Sequence, residues 1–241
     1  MECQEKSLIK PEDIDGHKIS WGDKKKIKEL LWLIVNRKGI GNKLAEGATK
    51  FSQQFGEEAR KLVMQVKGLD IICGDPRGIK AYGLSYSVSS RGADHLRAEP
   101  YFELTERWET AEERFGTKKA ADRLSEEGKA ALVTYSEKIA LLTDCLTMCK
   151  NIGLCMDILD LNNTSRLLES ATGIKYSPEY LEEILGKAIN KDFRLNEKFG
   201  LTKDADTLPE RFLNTPLKEG PTKGSIVNIK KMLDEYYKLH D

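Results

Sequence analysis

The sequence is short of the residues that complete metal sites. Its 241 residues hold three histidines and five cysteines, and no two cysteines are spaced as CxxC. A structural zinc or an iron–sulfur cluster usually takes four protein ligands, and the three clustered thiols Cys145, Cys149 and Cys155 cannot complete a site of either kind alone. Charge of one sign is missing too. The 39 lysines and arginines balance 39 aspartates and glutamates, which removes any whole-molecule attraction to nucleic acid or to an anionic membrane. No apolar run approaches the ~18 residues of a membrane span. The opening MECQEKSLIKPEDIDGHK is charged from its second residue, unlike a secretory signal. Neither GxxxxGK[ST] nor GxGxxG occurs, and no catalytic triad, zincin motif or deaminase signature appears. An odd number of cysteines fits a reducing compartment better than a disulfide scaffold, which points to the cytoplasm.

What is present is helical periodicity. Ile27, Leu30, Leu31 and Ile34 recur at helical spacing before the glycines of KGIG. Leu44, Ala48, Phe51 and Phe55 predict a second helix over 43–55, and Leu62, Val63 and Val66 a third. Strong helix formers predict one long element from about 118 to 142. In SPEYLEEILGKAIN, Ser177 is placed to cap, Pro178 fits the first helical position, and Leu181, Ile184 and Leu185 form one face. IVNIKKMLDEYYKLH reads as a closing amphipathic helix. Sustained alternation of period two is missing, so the fold class is mainly α.

Residues 68–98 differ from the rest. Glycines at 68, 74, 78, 83 and 92 and a run of serines leave little periodicity, and such backbone is suited to close approach. The segment ends in SSRGADHLR. There His95, flanked by Asp94 and Arg97, has the chemistry to donate, accept or shuttle a proton near an oxyanion. Arg91 and Arg97 have the geometry to clamp phosphate or carboxylate; a turn held by local salt bridges is the plainer reading. Asp144 ends the apolar run ALVTYSEKIALLTD, where a carboxylate must be paired, capping or binding. Cys145 and Cys149 follow at helical spacing, with Cys155 beyond. Three thiols make either buried cysteines or part of a ligand set completed elsewhere. On an unbroken helix Asp144 and Cys149 lie about 140° apart, so one ligand reaches both only if the helix ends between them.

These stretches occur in a fixed order: WGD at 21–23, LAEGATK at 44–50, VKGLDIICGDPRGIKAYGLSYSVSSRGADHLR at 66–97, DCLTMCK at 144–150, DTLPERF at 206–212, PLKEG at 216–220 and MLDEYY at 232–237. In this the chain resembles the C-terminal part of the tungsten-containing aldehyde ferredoxin oxidoreductase family over nearly its whole length. The resemblance implies helical domains packed beneath a separate N-terminal β-rich domain. It divides the chain into residues 1–98, carrying the active-site loop, and 99–241, carrying the cluster and pterin motif, with one continuous compact unit as the alternative. It also implies tungsten held by two pterins and a [4Fe–4S] cluster passing electrons to ferredoxin. By that resemblance Asp144 contacts pterin, Cys149 is the fourth cluster ligand, and His95 is the active-site histidine. Arg97 meets pterin phosphate, with Arg91 and Asp94 of the same turn grouped as cofactor-binding.

Two departures qualify the resemblance. The family's Asp-x-x-Gly-Leu-Cys reads DCLTMC, with Thr147 and Met148 in place of glycine and leucine. Cys73 and Gly74 stand where many relatives carry a proline-alanine-tyrosine run, which bears on substrate specificity. An absence counts for more. The chain has no CxxCxxxC, no first pterin aspartate motif and no β-rich domain. Alone, it is expected to be inactive on aldehydes until a missing domain or partner subunit completes it. The alternatives are a cofactor-free helical interaction or scaffolding protein descended from the enzyme, and a phosphate-binding enzyme using Arg91, His95 and Arg97.

Overall fold

A computed structural model describes residues 1–240; Asp241, the last residue of the second expected domain, lies outside the described residues. Eight helices carry the architecture: α1 (Lys24–Val35), α2 (Lys80–Val88), α3 (Trp108–Phe115), α4 (Lys129–Cys145), α5 (Lys150–Leu154), α6 (Leu161–Thr172), α7 (Pro178–Lys198) and α8 (Ile229–Lys238). Shorter helical turns link them. The described strands are β1 (Gln65–Val66) and β2 (Leu69–Asp70), which pair antiparallel. The mainly α expectation holds. No described helix is long and apolar enough to cross a membrane.

The glycine- and serine-rich segment contains the helix at the centre of the molecule. All nine residues of α2 are buried, and α2 packs on α4 and α8. A helix covered on every side needs no amphipathic stripe, which is why periodicity missed it. Small residues let neighbours approach: a Cβ on Gly83 would stand 3.0 Å from Pro76 Cβ. The main core gathers Tyr86, Leu132, Val133, Met232 and Tyr236 around this helix, drawing on both sides of residue 98. A smaller cluster, including Ile139, Leu154 and Leu185, joins α4, α5 and α7. Another gathers Ile9, Ile14, Leu30 and Ile40 near the N-terminus.

A buried ion pair fixes α2. The Glu103 carboxylate accepts hydrogen bonds from the backbone N–H groups of Ala81 (2.9 Å) and Tyr82 (3.3 Å), donors that a helix start leaves unpaired. Lys129 stands 3.1 Å from the same carboxylate and donates to the carbonyls of Ala120 and Asp122, each at 2.8 Å. Both side chains are fully shielded from solvent.

Three expected helices are corrected. The element expected over 118–142 begins at Lys129. Upstream, Asp122 and Ser125 side chains accept from the backbone of Leu124 and Glu127, diverting the chain into turns. Gly128 then enters the helix at φ +78°, where a Cβ would meet Thr117 and Ala120 at 2.6 and 2.9 Å. The helix expected over 43–55 is split into Ile40–Leu44 and Ala48–Ser52 by Gly47 at φ +91°. The third expected helix is replaced by a helical turn at Glu57–Arg60 and the β1–β2 hairpin, whose Lys67–Gly68 turn has positive φ at both positions. The first expected helix is present as α1, but half its stripe is uncovered: Leu30 is buried and Ile34 half-buried, while Ile27 and Leu31 face solvent, as do Trp32 and Val35 beside them.

Candidate functional site

Asp144 and Cys149 flank the C-terminal end of α4. That helix stops at Cys145 and reverses through Thr147, whose φ of +53° is left-handed. Met148 N–H donates to Thr143 carbonyl at 2.9 Å and Thr147 N–H to Asp144 carbonyl at 3.1 Å. This is a Schellman ending, the motif that places glycine at the position Thr147 occupies. A β-branched residue is strained there. Thr147→Gly is therefore expected to stabilise the fold by about 1 kcal/mol, measured by urea unfolding; an unchanged midpoint would show that the turn bears no strain.

The break decides what Asp144 and Cys149 can do together. Cys149 lies beyond it in extended conformation, directly before α5, with its thiol exposed. Lys150, the first residue of α5, donates to Asp144 Oδ2 at 2.7 Å and to the carbonyl of Leu96 at 2.9 Å. One ammonium thus ties the end of α4 to the turn that carries His95. Cys145 is also exposed, and Cys155 half-buried, its thiol 3.9 Å from Glu99 Oε1.

His95 opens a single 3-10 turn, His95–Arg97, and is half-buried. Asp94 caps that turn by accepting from Leu96 N–H at 2.8 Å and also pairs with Arg91. These two residues are thus engaged with each other and with their own loop. Arg97 turns the other way. It pairs with Asp192 of α7 at 3.0 Å and lies 3.4 Å from Ser90 Oγ.

A cavity of about 260 Å³ opens between α4 and α7, lined by Ser90, Arg97, Glu137, Asp144, Leu141 and Asp192, among others. Asp144 and Arg97 thus share one cavity. His95 and Cys149 stand outside its lining, at the surface around Lys150. Glu137 went unnoticed in the sequence. It precedes Asp144 by seven residues, two helical turns, so both carboxylates lie on the same face of α4. Burial pushes its carboxyl up to about 8, against the lowering effect of the Tyr236 hydroxyl and of Arg97. Tyr236 OH lies 2.8 and 3.0 Å from its two oxygens, and His240 Nε2 3.7 Å away. Lys150 and Asp192 were also missed; nothing in their local sequence distinguishes them from solvated charges.

Among the described residues, no group of three or more histidine, cysteine, aspartate or glutamate side chains is placed to hold a metal ion. The chain matches the family described as aldehyde ferredoxin oxidoreductase, domains 2 and 3, over residues 1–241. It belongs to that family.

Family relatives share about a third of its residues. It is 32% identical to a tungsten-containing aldehyde ferredoxin oxidoreductase of Pyrococcus furiosus and 31% identical to that of Thermococcus kodakarensis. Each alignment covers 99% of this chain and 38% of the relative. The chain therefore spans well under half the length of the relatives it matches. A 100-residue stretch, 39% of this chain, is 37% identical to 16% of an aliphatic sulfonate oxidoreductase, WOR-like subunit, also of Pyrococcus furiosus. In three dimensions it is similar to the active site complex BamBC of benzoyl coenzyme A reductase in complex with 1,5-dienoyl-CoA. The TM-score is 0.67 at 18% identity, covering 99% of this chain and 39% of that one, a likeness of fold.

Proposed function

We propose that the chain is the C-terminal portion of a tungstopterin aldehyde ferredoxin oxidoreductase, completed by an N-terminal β-rich domain or partner subunit. The assembled enzyme oxidises aldehydes to carboxylates, and electrons leave for ferredoxin. The observation that carries the reading is Lys150, which holds the pterin-motif aspartate and the His95 turn to one another beside Cys149. The donor set fits a shared site. Cys149 offers one exposed thiol to a [4Fe–4S] cluster, and Asp144 offers an open carboxylate edge to pterin donors. When bound, the tungstopterin supplies two-electron oxygen-atom chemistry and the cluster passes those electrons on singly.

The chain's own residues have narrower tasks. His95, half-exposed on its capped turn, orients the substrate and moves a proton at its oxygen. Asp94 fixes the turn so that the ring is presented. Arg97, held by Asp192, keeps positive charge at the cavity mouth for an anionic cofactor group. Lys150 pairs with Asp144 and holds its carboxylate at the end of α4.

The test is anaerobic co-expression of this chain with the complementing N-terminal portion of the enzyme, with metal analysis of the purified assembly. The wild type is expected to hold tungsten, iron and acid-labile sulfide and to reduce a viologen dye with aldehyde. Cys149→Ser is expected to lose most of the iron and sulfide. Full iron and sulfide in that variant would remove Cys149 from the cluster. A wild-type assembly without tungsten or iron would favour the scaffolding alternative, which the internal pairing of Arg97 with Asp192 and of Asp144 with Lys150 also accommodates.

A further inference from the structure

Lys67 stands near the start of the longest of the ordered stretches, Asp206 opens DTLPERF and Tyr237 closes MLDEYY. None of the three has a part in the site described above, yet they meet in one polar cluster. The Lys67 ammonium lies 2.5 Å from Asp206 Oδ1. It also donates to the carbonyls of Ser87 and Ser89, at 2.8 and 2.9 Å, which a helix end leaves unpaired at the close of α2. Tyr237 OH donates to Asp206 Oδ2. The two charged side chains are only 5% and 9% exposed. Each is fully engaged, so together they make a fixed and neutral floor.

A cavity of about 240 Å³ opens above that floor, between α7, α8 and the segment 201–206. Val88, Phe193, Leu201 and the Tyr237 ring give it apolar walls. Its mouth is charged. Arg194 of α7 and Lys203 both line it and are exposed, and neither pairs with a carboxylate among the described residues. Lys203 Nζ stands instead 4.1 Å from the centroid of the Tyr237 ring. The carboxylates of the lining are Asp206, already engaged below, and Glu197, exposed at the mouth. Two open cations therefore face one open carboxylate. Val88, Ser90 and Phe193 also line the cavity that holds Arg97 and Asp144, so the two cavities share a wall.

We propose that this cavity binds a small organic acid, a single carboxylate on an apolar body. The body lies against Phe193 and the Tyr237 ring, where burial favours it, and the carboxylate meets Arg194 and Lys203 at the opening. A cationic ligand is disfavoured, because cations already outnumber carboxylates there. Drug-sized ligands occupy pockets of roughly 300–1,000 Å³, so this smaller cavity limits the body to one ring or a short chain. Such an acid is what the proposed oxidation of an aldehyde forms, and the shared wall places it beside the cavity of Arg97 and Asp144. That identity rests on the proposed function, whereas the binding of a carboxylate rests on the cavity alone.

The cavity is tested on the chain itself, with benzoate as the probe. Amide signals of the 15N-labelled, deuterated protein are followed by NMR at low salt. Benzoate is expected to give saturable shifts centred on Phe193, Arg194, Lys203 and Tyr237, with a Kd on the order of 1 mM, since the cations it meets remain in water. Benzamide, of the same shape without the charge, is expected to bind at least about fivefold more weakly. Arg194→Gln combined with Lys203→Gln should weaken benzoate by about fivefold or more. Both positions are at the surface, where substitution leaves the fold intact. Shifts that do not saturate, equal binding of benzamide, or an unchanged Kd in the double variant would each overturn the site. So would shifts centred on Arg97 and Asp144. Inorganic phosphate moving the same signals as strongly would overturn the apolar half of the proposal. No metal or cofactor enters the measurement, so its failure and that of the tungstoenzyme reading are told apart.

Discussion

Lys129→Met is expected to destabilise the fold by about 3–5 kcal/mol, lowering Tm by roughly 10 °C. The reason lies in what remains rather than in what is lost. Methionine fills much of the lysine's volume, but it leaves the Glu103 carboxylate fully buried with no counter-charge. Glu103 cannot turn away, because it also holds the first N–H groups of α2. The carbonyls of Ala120 and Asp122 lose their donor at the same time. If the charge left behind is the cause, adding Glu103→Gln to Lys129→Met should recover a large part of the loss, since a neutral amide still offers an acceptor to α2. Equal Tm values for single and double variants would refute that account. The ion pair therefore serves the site at one remove, since α2 leads into the serines and arginines of the His95 loop.

Glu137 gives the second large effect, and its sign is set by the direction of the shift. The folded state raises this carboxyl from an ordinary 4.5 to about 8. Below about pH 4.5 both folded and unfolded chains hold the proton, and nothing is lost. Between 4.5 and 8 only the folded chain keeps it, so stability falls steadily as pH rises. Above 8 the buried carboxylate must ionise, and the full loss is on the order of 3–5 kcal/mol. Glu137→Gln is neutral throughout and retains an oxygen for the Tyr236 hydroxyl. The variant is thus expected to gain on the wild type between pH 5 and 9, the gap in Tm widening by roughly 10 °C. Parallel melting curves at all pH values would show that Glu137 ionises in the folded protein as it does in water.

How far the sequence revealed this molecule depended on the kind of signal each element left. Helices α1, α7 and α8 were legible because one face of each meets water, and α7 carries its Ser177 cap and Pro178 in plain order. The central helix α2 was not, since burial on all sides erases periodicity. The extent of α4 was misjudged because helix propensity at 118–128 yields to side-chain turns and to a glycine at positive φ. At the site, the odd placement of Asp144 and the thiols was visible from the apolar run before them, and the need for a helix break between Asp144 and Cys149 followed from the angle. Their partner Lys150 left no mark, since a lysine that bridges two loops is spelled like one in water.

The Lys150 bridge has a consequence for assembly. Lys150 clasps a turn 54 residues earlier in the chain before any other polypeptide arrives, so on the proposed reading this portion of the enzyme need not be moulded around its cofactors. It offers them a finished wall. Loading should then be governed by how quickly the remaining portion closes over that wall, and a loaded enzyme that comes apart should leave this wall standing, ready to receive another.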